Sequence, residues 1–110
     1  MNIEYRDLKH VTVVKVIGRV DSATAPDLEK GLHDHIQSDH SQLVLDLSGT
    51  EYMSSAGLRV LVSSLKLAKK HGGDLHLAQI SERVKEVLDL AGLTPVFSIH
   101  ADLIEAVGAF

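Results

Sequence analysis

The sequence has no cysteine and no tryptophan, and it has only two prolines in 110 residues. Without cysteine the chain can form no disulfide, no thiolate metal site and no cysteine nucleophile. Aromatic residues make up only 4% of the chain, whereas hydrophobic residues make up 45%, so a core must be built mainly from aliphatic side chains. This length and composition predict a single globular domain over residues 1–110, large enough to bury its own core.

Long apolar runs and an excess of positive charge are also missing. No run approaches the roughly 20 apolar residues that a membrane-spanning helix needs, and residues 1–6 do not have the pattern of a signal peptide. The formal net charge is −4, whereas proteins that bind nucleic acids usually present a basic face. We therefore expect a cytoplasmic protein with no membrane insertion and no direct contact with nucleic acid.

Motifs of catalysis and of cofactor binding are absent. The seven histidines are scattered, and His33 and His35 lie two apart on a predicted helix, so their side chains point in different directions. There is no His-Glu-x-x-His motif, no Gly-x-Gly-x-x-Gly fingerprint and no Gly-x-Ser-x-Gly elbow. The sequence therefore predicts no catalytic residue, no metal site and no cofactor, and we expect that the protein is not an enzyme.

What the sequence does contain is a regular alternation of apolar runs with helical patterns. Two adjacent runs at the N-terminus indicate a β-hairpin, and after them strands alternate with helices. Such an order implies right-handed crossovers between parallel strands. The predicted fold is α/β: one domain with a mixed, mostly parallel β-sheet, an N-terminal hairpin and about four helices. The predicted strands cover residues 3–7, 10–17, 43–47, 74–80 and 96–99, and the predicted helices begin near residues 24, 55, 82 and 102.

The stretch from Tyr52 to Val60 connects a buried strand to a helix. A polar turn, Ser48–Glu51, follows the apolar run 43–47, and two serines precede the helical pattern. Serine is a preferred N-cap residue, and a helix N-terminus favours negative charge. A serine at this place is therefore a candidate for phosphorylation, because the added charge of about −1.5 to −2 would be stabilised locally. The alternative is that the serines only cap the helix.

The segment from residue 43 to residue 73 resembles the core of the STAS domain, the family of anti-sigma factor antagonists and of the cytoplasmic domains of sulphate transporters. In the bacterial antagonists this turn typically has the pattern aromatic-Met-Asp-Ser-Ser/Thr-Gly-Leu-Gly-Val. Tyr52-Met53 and Gly57-Leu58 match it, and Ser54 stands in place of the aspartate. Ser55 occupies the position that is phosphorylated in the family, so the resemblance implies phosphorylation at Ser55, with Ser54 as an alternative acceptor.

Three further positions bear on the resemblance. Ala56 replaces the second serine or threonine, and Arg59 replaces a glycine. Antagonists of the family often carry Gly-Glu-Leu/Ile-Asp near the phosphorylated turn; here Gly18 and Asp21 match, while Arg19 departs from the acidic residue. The resemblance therefore implies that Asp21 lies beside Ser55.

A helical-wheel count separates two faces of the helix that follows Gly57. One face carries Leu58, Leu61, Val62, Leu65 and Ala68 and is expected to face the core. The other carries Val60, Ser63, Ser64 and Leu67, with Arg59 beside them, and is expected to face outward as a partner surface. Together with the resemblance, this count predicts a partner-binding surface formed by Asp21, Ser54, Ala56, Gly57, Arg59, Val60, Ser63, Ser64 and Leu67.

The resemblance implies a regulator of transcription that works by partner switching. The unphosphorylated protein would bind an anti-sigma factor with serine kinase activity, and phosphorylation at Ser55 would release it. A serine phosphatase would reset the switch. Two alternatives stay open: a constitutive STAS interaction subunit of a lipid transporter or signalling scaffold, and a sensor of a small ligand or nucleotide.

Overall fold

The computed structural model describes all residues from 1 to 110 and contains six strands and four helices. The alternation of strands and helices predicted after the N-terminal hairpin is confirmed, except that one further strand precedes the second helix. The strands are β1 (Asn2–Asp7), β2 (Thr12–Val20), β3 (Gln42–Asp46), β4 (Thr50–Met53), β5 (Asp74–Ala78) and β6 (Ser98–His100). The helices are α1 (Ala25–Gln37), α2 (Ser55–Lys70), α3 (Glu82–Leu90) and α4 (Leu103–Gly108), and a short 3-10 helix covers Thr94–Val96.

The sheet has the order β1-β2-β3-β5-β6, and β4 pairs with β2 outside this path. Only β1 and β2 are antiparallel; every other pair is parallel. The first half of β2 pairs with β3, and its last residues, Gly18–Val20, pair with β4 after a shift of register between Gly18 and Arg19. The predicted mixed, mostly parallel sheet with an N-terminal hairpin is therefore confirmed.

The two faces of the sheet are covered unequally. Because neighbouring residues of a strand point to opposite faces, alternate residues of the strands enter separate apolar clusters. The larger cluster has 21 buried residues and joins the sheet to α1, α2 and α3. The smaller cluster has five buried residues, from the strands, from the residue before β2 and from α4: Val11, Val13, Val44, Ala78 and Ala106.

Strand β4 was not predicted. The sequence predicts a polar turn over Ser48–Glu51, whereas the structure begins a strand at Thr50. The hydroxyl of Thr50 donates a hydrogen bond to the carbonyl oxygen of Val16 at 2.8 Å. The pairing with β2 therefore overrides the local turn propensity, as tertiary contacts often do for short strands.

The second strand, expected over residues 10–17, instead covers Thr12–Val20, and two boundaries in the C-terminal half also differ from the prediction. The strand expected to run to Ile80 ends at Ala78, because Gln79 takes a left-handed backbone conformation with φ +57°. The last strand begins at Ser98 rather than at Val96, which belongs to the 3-10 helix. None of these differences changes the topology.

None of the four helices combines the length and the apolar character needed to cross a membrane.

Candidate functional site at the start of helix α2

The turn between β4 and α2 lies beside the end of β2. Val20 pairs with Met53 across the parallel strands, and the backbone N–H of Ser54 donates to the carbonyl oxygen of Val20 at 2.9 Å. The loop that begins at Asp21 and the turn that contains Ser54 and Ser55 are therefore neighbours at the carboxyl edge of the sheet. Functional sites of parallel sheets commonly lie at this edge.

The two adjacent serines have different environments. Ser54 is the N-cap of α2, with an extended backbone (φ −88°, ψ 176°), and its carbonyl oxygen accepts from the N–H of Leu58 at 3.0 Å. Its hydroxyl makes no capping bond, however, and its Oγ is buried without a hydrogen-bond partner. The expected side-chain cap is therefore wrong for Ser54. Ser55 is the first residue of α2 and is exposed.

Gly57 allows α2 to approach the sheet closely. A Cβ atom at this position would lie 2.8 Å from Cγ of Met53 and 2.8 Å from Cγ1 of Val20. Real Cβ atoms essentially never come so close to a carbon atom, so a larger residue would push α2 away from both strands. Gly57 is itself buried and offers no exposed side to a partner, so its role in this structure is packing.

Asp21 stabilises the loop that precedes α1. Its Oδ1 accepts from the backbone N–H of Ala23 at 3.0 Å and from that of Thr24 at 3.2 Å. The backbone hydrogen bond from Thr24 is the main cause that lowers the pKa of Asp21 below its usual range, with burial opposing it and Arg19 assisting. Asp21 directly follows Val20, whose carbonyl oxygen binds the N–H of Ser54, but the side-chain hydrogen bonds of Asp21 serve its own loop.

Arg19 and Tyr52 meet on the paired ends of β2 and β4. The guanidinium carbon of Arg19 lies 4.4 Å from the centre of the Tyr52 ring, which is the geometry of a cation–π contact. The two residues are also partners in the strand register. Arg19, which departs from the acidic residue of the family pattern, therefore contacts Tyr52, which matches the aromatic residue of that pattern.

The face of α2 expected to point outward is partly buried in the structure. Val60 is only 4% exposed and Ser64 is fully buried, so the prediction of an outward face is wrong for both. The reason is that α1 packs alongside α2, whereas the helical wheel assumed a single covered face. The hydroxyl of Ser63 donates to the carbonyl oxygen of Val60 at 3.1 Å and lies 3.4 Å from Nε2 of His33 on α1. Leu67 is half-buried against the large cluster.

Two grooves flank the start of α2, and the exposed residue Arg59 lines both. The first has a volume of about 500 Å³ and lies between α2 and the segment after α3; its lining includes Ser55, Leu58, Arg59, Val62, Lys66 and Leu93. The second has a volume of about 410 Å³ and lies between α1 and α2; its lining includes Ser22, Pro26, Glu29, Ala56, Arg59 and Val60.

Several of these lining residues are not predictable from the sequence. Lys66 and Leu93 join Ser55 in the first groove, and Ser22 and Glu29 join Ala56 in the second. No local pattern could have found them, because they come from separate elements that only the fold brings together. No three histidine, cysteine, aspartate or glutamate side chains in the chain are placed to hold a metal ion.

Comparison with known proteins places this architecture in a family. The family model described as the STAS domain matches residues 2–106. The chain belongs to the STAS domain family. It is 32% identical over 101 residues to the anti-sigma-B factor antagonist of Bacillus subtilis, covering 92% of each chain. It is 29% identical over 99 residues to the anti-sigma-B factor antagonist of Listeria monocytogenes, covering 90% of this chain and 86% of that one.

One solved structure that is similar to this chain is also that of an anti-sigma factor antagonist. The crystal structure of an anti-sigma factor antagonist from Mycobacterium paratuberculosis superimposes with a TM-score of 0.89 at 29% identity, over 98% of this STAS domain and 92% of that chain. The similarity extends over nearly the whole fold, including the turn that carries Ser54 and Ser55.

Proposed function

We propose that this STAS domain is an anti-sigma factor antagonist controlled by phosphorylation of Ser55. In its unmodified form it binds an anti-sigma factor that has serine kinase activity. That kinase transfers phosphate to Ser55, the phosphorylated form is released, and a serine phosphatase restores binding. The names of the relatives support the antagonist role, and this chain is then the substrate of the kinase rather than an enzyme.

The exposure of Ser55 is the observation that carries the proposal. A kinase must bring the hydroxyl of its substrate into line with the γ-phosphate of ATP, which requires an accessible side chain. Ser55 is exposed at the first residue of α2, whereas the Oγ of Ser54 is buried beside it. The structure therefore favours Ser55 over Ser54 as the acceptor, even though Ser54 stands at the position of the family's aspartate.

A phosphate at Ser55 would change the surface that a partner meets. A neutral serine adds no charge to a contact, whereas a phosphoserine adds a charge of about −1.5 to −2 that must be desolvated or paired on binding. A loss of about 3 kcal/mol weakens binding more than a hundredfold. Of the residues predicted as a partner surface, Arg59 is exposed; Asp21, Ser54, Ala56, Ser63 and Leu67 are partly exposed; and Gly57, Val60 and Ser64 are buried.

The proposal is tested by retention of a partner from a lysate of the source organism on immobilised protein. Wild type and Ser55→Ala should retain an anti-sigma factor with an ATP site, and Ser55→Asp should lose it. Incubation with the isolated partner and ATP should then place phosphate on Ser55, and Ser54→Ala should still accept it.

Ser98→Asp is the matched control, because Ser98 is also exposed but lies on the edge strand β6. This variant should bind like wild type. Equal retention of one partner by all four proteins would contradict the switch and favour the constitutive interaction subunit. Stabilisation of the isolated domain by a nucleotide or small metabolite, with no protein partner retained, would favour the sensor.

A further inference from the structure

Two histidines form a continuous hydrogen-bonded chain with two acids on the α4 side of the sheet. Nδ1 of His76 on β5 lies 3.1 Å from Nε2 of His100 on β6. The other ring nitrogen of His76 lies 3.3 Å from Oδ2 of Asp74, and the other ring nitrogen of His100 lies 3.2 Å from Oε1 of Glu105 on α4. This chain of four side chains joins β5, β6 and α4.

The histidine pair is shielded from water. The side chain of His76 is 9% exposed and that of His100 is 14% exposed. The ring of Phe110 stacks on His76 at 4.3 Å, and the two imidazole rings stack at 5.1 Å. A buried ring nitrogen that lacks a hydrogen-bond partner costs free energy. The number of ring N–H groups in the pair should therefore equal the number of contacts that need a donor.

The charged groups around the pair are mostly acidic. The elements that pack here, β3, β5, β6 and α4, contain no lysine or arginine. Asp102, at the N-cap of α4, uses its carboxylate to accept from the N–H of Glu105. Phe110 also lines a surface cavity whose titratable residues are Lys9, His10, Asp39 and His40.

The number of contacts determines the number of protons. Each carboxylate contact requires a ring N–H on the histidine that faces it, because an ionised carboxylate only accepts. The contact between the two rings requires one further N–H. The three contacts therefore need three ring N–H groups, whereas two neutral imidazoles together have only two. With four N–H groups, two would point at each other across 3.1 Å.

We propose that His76 and His100 bind one proton between them, so that the pair is a single imidazolium held by Asp74 and Glu105. The site is a proton-binding clamp that ties α4 and β6 to β5. It is not a metal site, because the carboxylates occupy the outer nitrogens and no third ligand faces the gap between the rings.

The shared proton links the protonation of the pair to the attachment of α4. On release of the proton, one of the three contacts must break, and the contact to Glu105 is the one that attaches α4.

The experiment counts the ring protons by long-range 1H–15N correlation spectra of the histidine side chains between pH 5 and pH 9, in the presence of EDTA. At pH 7 the two rings together should show three N–H groups, with one imidazolium per pair. The exposed His71 serves as an internal reference. Two neutral rings at pH 7, with one carboxylate contact broken, would overturn the proposal.

Two variants separate the clamp from a merely structural role. Glu105→Gln removes the negative charge that faces Nδ1 of His100 and should lower the count of ring N–H groups at pH 7 below three. Glu86→Gln is the matched control, because Glu86 is exposed on α3 and forms no ion pair, and it should leave the count at three. Equal behaviour of the two variants would also overturn the proposal. The side chain of Glu105 is 61% exposed, so its variant should fold.

Discussion

The two faces of the sheet show two ways of attaching helices. On one face, α1, α2 and α3 bury a continuous cluster of 21 apolar residues. On the other, the short helix α4 covers only five, and the hydrogen-bonded chain through His76 and His100 adds a polar attachment beside them. Apolar burial scales with the area removed from water, so the first face carries most of the stability.

The candidate switch, Ser55 at the start of α2, lies on the strongly packed face of the sheet. Helix α2 is held by the sheet on one side and by α1 on the other, so its first turn has a well-defined position. A binding surface gains affinity when its groups are already ordered before the partner arrives. The α4 face buries less apolar surface. A change of one proton at His76 and His100 is therefore a larger part of the stability on this face than it would be on the other.

The largest effect should come from removing the same side chain on each face. Leu61 on α2 is fully buried in the large cluster, whereas Leu103 on α4 is only half-buried against the small one. Leu61→Ala should lower the free energy of unfolding by about 2–5 kcal/mol, and Leu103→Ala should cost clearly less. Chemical denaturation measures both, and equal losses would show that the two faces contribute alike.

A smaller effect is expected at the buried carboxylate of Asp46, where β3 meets β5. Its Oδ1 accepts from the backbone N–H of Ser48 at 3.0 Å and from the amide of Gln79 at 2.9 Å. Burial opposes ionisation, but these hydrogen bonds and the charge of Lys15 outweigh it and lower the pKa of Asp46. Asp46→Asn should cost about 1.5–3 kcal/mol at neutral pH, since hydrogen bonds to a charged group are lost.

The pH dependence of Asp46 has a definite sign. Because the pKa is lower in the folded state, the stabilisation is fully present above the unfolded value of about 3.9 and is lost as the pH falls through the folded value. Unfolding of wild type should therefore become easier below about pH 4, with a weaker decrease in Asp46→Asn. Parallel curves for the two proteins would contradict the ionised state of this carboxylate.

The smallest effects on stability are expected for one glycine on each face of the sheet. Gly57→Ala places a Cβ atom against Met53 and Val20 and should cost about 1–3 kcal/mol, as overpacking does. Gly108→Ala on α4 meets no atom within 4 Å and should be neutral or stabilising by up to about 1 kcal/mol. Thermal unfolding distinguishes them, and a neutral Gly57→Ala would show that α2 can shift away from the sheet at no cost.

The sequence by itself determined the fold class, because its signals are local and periodic. Valine-rich and leucine-rich runs predicted the strands, and spacings of four, as in Leu28, Leu32 and Ile36, predicted the buried face of α1. The position of Ser54 and Ser55 at the junction of strand and helix was likewise predictable. The side-chain caps at Ser81 and Asp102 are also present, each accepting from an N–H in the first turn of its helix.

Only the tertiary structure decided which of these residues are accessible. Val60 and Ser64 lie on the far side of the helical wheel of α2, and nothing local reveals that α1 covers them. The same holds for the buried Oγ of Ser54 beside the exposed Ser55, and for the meeting of His76 with His100, which are 24 residues apart. Periodicity specifies one covered face for each element, whereas accessibility depends on every neighbour that the folded chain brings to it.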